Sequence, residues 1–348
     1  MVLAGIIVAA PVTAAILLAW YVVPYWYSRS VRQIQIRDLN LHVSSEDARL
    51  VEDWARAISQ GIELRLRRPR SRWLLRCDSA SSRWRPLLME GATIGAGAAH
   101  AALHLKSLGI SRESIRNRPE YAHAVYFGVG FWGALRFDTN FEELLYAVQP
   151  YDPWWRFACL DGYGFAFGLL KYFRDRSSVA HLHAIPGYYR RAAFQGVGRA
   201  FYLGFLSDRR GLIEAASELA PQHDCDVIEG ASFAAAYYQN DPCRAMHFVR
   251  AMPYEWRSNA HLGMTLGLRA SATAEPTRFE NAISGLASVQ KETIQHAIAV
   301  ANEMEEHIRR EHRAAAYGLW REKLAQRMQR EKLWEPVYTD VPQQRLEA

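Results

Sequence analysis

The sequence predicts an all-α fold of about six helical hairpins, and three observations carry that prediction. Glycines at 91, 128, 162, 196, 230 and 263 recur in similar company, at spacings of 37, 34, 34, 34 and 33 residues. Prolines at 119, 153, 186, 221 and 253 each stand nine or ten residues ahead of the next such glycine. Between them run long apolar stretches: 122–135 carries no charge and 157–170 carries one. Periods of this size mark stacked supersecondary units, none of which can bury its apolar face alone. Stacked hairpins make a curved solenoid or, if six close on themselves, an α/α toroid.

Each repeat is expected to open a long helix at its proline, because proline's missing donor costs nothing in a first helical turn. A shorter helix follows in most units, at 141–148, 212–219 and 243–252, behind turn-like linkers such as Asp138-Thr139-Asn140 and Asn240-Asp241. Helices apolar all round are enclosed on all sides. Small residues four apart, Gly91 with Gly95 and Gly164 with Gly168, are expected to admit neighbouring helices closely.

The repeats occupy 86–274 and the flanks differ from them. Residues 1–28 carry no charge, and 2–27 is long enough to cross a hydrocarbon core of about 30 Å as a helix. Trp20, Tyr21, Tyr25, Trp26 and Tyr27 gather at its end, followed by Arg29, Arg32 and Arg37. This reads as a single-pass anchor with the bulk of the chain in the cytoplasm. From 29 to 85 there are thirteen Arg against seven Asp or Glu, which accounts for the whole net charge of +6. Placed beside an apolar segment, that excess points to an anionic membrane surface and away from nucleic acid. Within it, 31–43 alternates as a short strand or hairpin, 46–59 is an amphipathic helix stopped at Gly61, and 65–73 is the densest basic run. Residues 275–336 are densely charged and read as one long helix or a pair, with Glu305 and Glu306 set four residues ahead of Arg309 and Arg310. It caps the last repeat or offers a face for a protein partner or self-association. A tail follows over 337–348.

Chemistry is concentrated at the position before each glycine, occupied by Glu90, Phe127, Asp161, Gln195, Glu229 and Leu262. Equivalent positions of stacked repeats face one side, so Glu90, Asp161 and Glu229 are expected to converge, with Arg199 as the nearby cation. A carboxylate inside an apolar helix must be paired, hydrogen-bonded or protonated. Either these groups hold the repeats in register, or at least one has a raised pKa and acts as a proton donor or acceptor. Tyr163, Phe165, Trp132, Phe194, Gln195, Arg199 and Phe233 are the candidate lining of a substrate cavity. Cys77, Cys159, Cys225 and Cys243 have no short pairwise spacing, which excludes a zinc knuckle or a disulfide framework. His100 and His104 share a helical face but lack a third ligand, so no metal is expected. Gly162-Tyr163-Gly164 lacks the strand that a dinucleotide site needs, and no cofactor is expected.

The succession Met89-Glu90-Gly91, Phe127-Gly128-Val129-Gly130, Leu160-Asp161-Gly162-Tyr163-Gly164-Phe165, Ala193-Phe194-Gln195-Gly196-Val197-Gly198-Arg199 and Glu229-Gly230-Ala231-Ser232-Phe233-Ala234 resembles a bacterial family of enediyne biosynthesis proteins of unknown biochemical function. The likeness covers a little over half the chain. It implies a place in secondary metabolism, acting on a polyene or another lipid-like intermediate, and transfers no catalytic residues. The period, with Gly230, Phe233, Ala234 and Tyr237, also looks like tetratricopeptide repeats, more loosely.

Together these features lead to a membrane-anchored biosynthetic protein that encloses a hydrophobic polyene or isoprenoid-like substrate. Glu90, Asp161 and Glu229 are the candidate catalytic groups of an acid–base cyclase or isomerase. The competing expectation is a helical-repeat scaffold that docks protein partners in an open groove lined by exposed aromatics.

Overall fold

The computed structural model describes residues 51–58, 60–62, 85–103, 119–206, 208–219, 222–311 and 316–339. Among them every regular element is a helix. The anchor expected at 2–27, the strand at 31–43, the basic run at 65–73, His104, Pro221 and residues 340–348 of the tail lie outside the described residues. No helix among the described residues is long and apolar enough to cross a membrane.

In chain order, α1 is helical over 51–58 and 60–62, α2 spans Arg85–Leu103, α3 Ala122–Phe137, the short α4 Phe141–Val148 and α5 Pro153–Phe167. Then come α6 (Gly187–Gly204), the short α7 (Arg209–Leu219), α8 (Asp224–Gln239), the short α9 (Pro242–Arg250) and α10 (Arg257–Ala274). Four further helices close the described chain: α11 (Pro276–Ser284), α12 (Ser288–Glu311), α13 (Ala316–Arg330) and α14 (Glu335–Thr339). Pro153 opens α5 as expected, whereas Pro119 and Pro253 lead into single 3₁₀ turns. Polar residues punctuate the hairpins. Asn140, Asp152 and Asp241 accept the backbone N–H of Glu143, Trp154 and Arg244 at the starts of α4, α5 and α9. Asp138 and Asn240 take the positive φ that ends α3 and α8.

From α2 to α10 the long helices form one row, in which each packs on the next. They run parallel: α5 and α6 meet start to start (Phe157 with Tyr189) and, through the π-helical turn Gly168–Tyr172 that continues α5, end to end (Tyr172 with Phe201), and along α8 and α10 Gly263 meets Glu229 and Gly267 meets Phe233. Their contact is backbone on backbone and follows a fixed rule. A Cβ added to Gly162 would lie 1.9 Å from the carbonyl oxygen of Phe127 on the preceding helix, and one added to Gly164 would lie 1.9 Å from that of Ala193 on the following helix. Residues two apart are turned by about 200° around a helix, so a Gly-x-Gly pair clears both flanks at once. The pairs expected four apart also admit a neighbour closely, Gly91 and Gly95 against α1 and Gly164 and Gly168 against α6, although Gly91 and Gly168 sit less tightly than their partners.

This rule corrects the phase of the repeat. Gly128 meets the carbonyl of Ile94, so the lead glycine of α2 is Gly95, with Gly97 as its partner against Val125. Gly91 instead meets Trp54, whose ring and carbonyl oxygen would both lie 3.0 Å from an added Cβ. The spacing from 95 to 128 is 33, in line with the later units, and the outlying 37 disappears. The rule also extends the row backwards. Gly61 lies within α1 and does not end it, and its Cβ would strike the Ala92 carbonyl, while Gly95 meets that of Ile58. The segment read as juxtamembrane therefore contributes a helix to the array.

The row bends far enough for α8 to touch α2. The C-terminal helices do more than cap its end. On α13, Tyr317 and Trp320 pack against Trp154 of α5, and Trp320 donates to the Ala301 carbonyl of α12. Trp334 donates to Thr265 of α10 and stacks on His261. Val337 is buried, so the expected tail begins later than 337.

Gly162→Ala is expected to lower unfolding stability by about 3 kcal/mol or more, because the colliding atom is backbone and cannot rotate away. Gly285→Ala, where no atom lies within 4 Å and φ is −85°, is expected to stay within about 1 kcal/mol of the parent in the same urea titration.

Candidate active site

With the glycine phase in place, one stripe of each long helix faces the inside of the bend. Relative to the lead glycine it comprises positions −5, −1 and +3, which are one turn apart and share a face. Glu90 and His123 occupy −5 on α2 and α3, Asp161, Gln195 and Glu229 occupy −1 on α5, α6 and α8, and Arg199 and Phe233 occupy +3 on α6 and α8. Glu90 is thus not the equivalent of Asp161 and Glu229, although it joins the same stripe.

Arg199 is the hub of the first cluster. Its Nη2 lies 3.0 Å from Asp161 Oδ2 and 3.4 Å from His123 Nε2, and its Nη1 lies 3.6 Å from Glu90 Oε1. His123 Nε2 is also 3.4 Å from Asp161 Oδ2. The guanidinium stacks on Phe233 at 3.8 Å from the ring centroid, which stabilises it where water is excluded. Glu90, Asp161 and Arg199 are buried, and His123 exposes 29 % of its side chain. Burial pushes the Glu90 carboxyl up to about 7, against the opposing pull of Arg199, and Asp161 adds to the rise. Burial also lowers His123 and keeps its imidazole neutral at neutral pH.

A second cluster lies one helix further on. Glu229 Oε1 accepts from Arg321 Nε at 2.9 Å and also from its Nη2, while Gln195 accepts from Nη1 of the same guanidinium. The Gln195 amide donates to Glu229 at 3.2 Å, and Tyr317 accepts from Arg321 at 3.2 Å. Burial raises Glu229, but a bidentate guanidinium opposes that rise. Glu229 and Gln195 therefore hold α13 in place.

A cavity of about 180 Å³ opens between the two clusters and the rim. Glu90, His123 and Arg199 form its polar floor, and Tyr121, Trp154, Trp155, Phe233, Tyr237, Tyr317 and Trp320 supply aromatic wall. At the rim Arg269 pairs with Glu305 and lies over Trp320, while Arg309 lies 4.3 Å over Trp154. Of the residues singled out in the sequence, Glu90, Arg199 and Phe233 line this cavity and Asp161 touches two of its floor groups. Glu229 and Gln195 serve the α13 attachment instead. Tyr163 bonds to the Asp138 carbonyl and sits 3.2 Å from His181, Phe165 packs edge-on to Trp54 and Phe127, Phe194 stacks on His223, and Trp132 is half-buried against the core. Phe165, at +3 on α5, shares the inward stripe without lining the cavity, and the other three rings face other parts of the molecule. Among the described residues, no cluster of three or more His, Cys, Asp or Glu forms a metal site, and Cys159, Cys225 and Cys243 are free.

Residues 26–328 match a family described as protein of unknown function (DUF1702). The chain belongs to this family. No curated protein and no solved structure matches it.

Sequence reasoning missed several groups in this DUF1702 member. His123 had a signal, since it repeats Glu90 at −5 once Gly95 is taken as the lead. Tyr317, Trp320 and Arg321 had another: they are three and four apart on a charged helix, which is the spacing of a face that packs.

Arg321→Met is expected to destabilise the fold by about 3–5 kcal/mol, because Glu229 is left buried without its partner. The Glu229→Leu/Arg321→Met double variant is expected to recover much of that loss in the same unfolding titration.

Between pH 4.5 and about 7 the folded chain holds a proton on Glu90 that the unfolded chain releases. The stability this contributes is complete below pH 4.5 and disappears as pH rises to about 7, on the order of 3 kcal/mol. Glu229 adds in the same direction, so the comparison is with Glu90→Gln. Urea midpoints of wild type should fall relative to that variant between pH 5 and pH 8, and parallel curves would show that Glu90 titrates normally.

Proposed function

We propose that this DUF1702 member is an acid–base catalyst that encloses part of a hydrophobic, unsaturated small molecule in the aromatic cavity. One observation carries the reading: Glu90 sits in an aromatic-walled floor with its carboxyl raised to about 7, beside a neutral His123. Two titratable groups pushed toward opposite protonation states are what a proton-transfer site needs, Glu90 as the acidic member and His123 as the basic one. Of the reactions expected from the sequence, isomerisation is favoured over protonation-initiated cyclisation, because a carboxylic acid of such low acidity is a poor donor to an unactivated alkene. Asp161 and Arg199 set the orientation of both groups, and Glu229 fixes the wall through Arg321.

The row of helices is, on this proposal, a tightly curved solenoid whose concave side α13 fills. That placement favours a small molecule over the scaffold reading, which needs an open groove. The resemblance to enediyne biosynthesis proteins supports a place in secondary metabolism, and the apolar segment at 2–27 would hold the chain at a membrane where lipid-like intermediates partition.

The test is untargeted metabolite comparison of a deletion strain complemented with wild type or with Glu90→Leu. The variant is expected to fold and to yield at least about 100-fold less product, the usual minimum for a lost acid–base group. Normal product from Glu90→Leu would remove the reading.

A further inference from the structure

We infer that the molecule held in this cavity carries one carbonyl oxygen, seated between Glu90 and Arg199, and that His123 moves a proton at the carbon beside that carbonyl. The inference rests on the small-molecule reading above and narrows it to a substrate class, an apolar ketone or enone.

Glu90 Oε2, Arg199 Nη1 and the Tyr238 hydroxyl that faces Glu90 are buried without a hydrogen-bond partner, and the Glu90 and Arg199 side chains line the cavity. A guanidinium N–H only donates, so what satisfies it must accept. A protonated carboxyl donates as well, and a carboxylic acid kept neutral by its surroundings is a known means of binding a carbonyl oxygen as it becomes an enolate. A carbonyl oxygen has two lone pairs and takes both donors. A carboxylate ligand would set a further negative charge beside Asp161. The remaining walls are aromatic, and about 180 Å³ is close to the ~150 Å³ that accommodates benzene, so the enclosed part is one or two rings.

His123 is placed to act on such a molecule. Its Nε2 lies against Asp161 and Arg199, and among the described residues Nδ1 has no partner. In the tautomer that donates Nε2–H to Asp161, with Arg199 Nη2 given to the same carboxylate at 3.0 Å and not to the ring, Nδ1 carries the lone pair. That pair takes a proton from the carbon next to the carbonyl. The C–H electrons become a C=C bond, and the carbonyl π pair moves to oxygen, held by the Arg199 N–H and the Glu90 O–H. The proton then returns from His123 to the same carbon, or in a conjugated ligand to the carbon two bonds further along, as the oxygen pair reforms C=O. Atoms and electrons balance without a cofactor, and the net result is a proton shift. Glu90 is faced by Arg199 from α6, Asp161 from α5, and Tyr237 and Tyr238 from α8, while His123 is faced by Asp161, Arg199 and, from α13, Arg321. The enolate-stabilising form therefore declines as pH rises through about 7, where Glu90 ionises.

The experiment uses the full chain with 1-indanone and indane, which differ by the oxygen. Calorimetric titration is expected to show the ketone binding at least tenfold tighter. NMR in D₂O is expected to show deuterium entering the carbon beside the carbonyl faster than in buffer, with a fall above pH 7. His123→Asn should keep the ketone preference and lose the exchange at least 100-fold. Glu90→Gln, whose amide still donates, should keep the preference and lose the fall with pH, whereas Glu90→Leu should lose the preference. Equal affinities, no binding of 1-indanone up to its solubility, or exchange at the buffer rate overturns the inference. If Glu90→Leu still abolishes product in the strain comparison while the two probes bind equally, the acid–base function stands and the carbonyl assignment alone falls.

Discussion

The constraint from which the rest follows is that neighbouring long helices touch through their backbones. Gly196 against the Asp161 carbonyl and Gly230 against the Gln195 carbonyl leave no room for a methyl group, so the rotation and register of each helix are fixed by its neighbours. Once rotation is fixed, positions −5, −1 and +3 must face inward on every helix. The glycines cost helix propensity, roughly 1 kcal/mol each relative to alanine, and close dispersion contact along the row offsets it.

The inward stripe explains why so many charged groups are tolerated in an apolar interior. Arg199 takes Asp161 at hydrogen-bond distance and Glu90 slightly beyond it, with aromatic faces around the guanidinium, and Arg321 takes Glu229 with two nitrogens. The two arginines differ in consequence. Every guanidinium nitrogen of Arg321 donates, to Glu229, Gln195 or Tyr317, which makes it a fastening. Arg199 keeps an unsatisfied nitrogen at a cavity wall, and its weaker hold on Glu90 lets burial dominate that carboxyl.

The sequence made the helical repeat legible because glycine and proline report backbone demands directly. It left the first unit misphased, since Gly91 and Gly95 both precede helical residues and only contact with Ile58 and Ile94 distinguishes them. Glu90, Asp161, Glu229 and Arg199 were readable as buried polar groups in apolar helices, yet their division between two arginines was not, because Arg321 lies 92 residues beyond Glu229. The aromatic wall was least legible. Tyr163, Phe165 and Phe194 carry the same composition signal as Trp154, Tyr237 and Trp320, and only the direction of each ring separates wall from core.

The fastening by α13 bears on how the molecule comes into being during synthesis. Tyr317, Trp320 and Arg321 leave the ribosome after every long helix of the row, so the nascent array exists for some time as a groove with Gln195 and Glu229 uncovered. At some twenty residues per second or fewer, translating α12 and α13 takes seconds, far longer than a helix needs to form. The pocket therefore comes into existence only after the whole row has been made, and a polypeptide released before Arg321 would present a sticky trough to other proteins in place of a chamber.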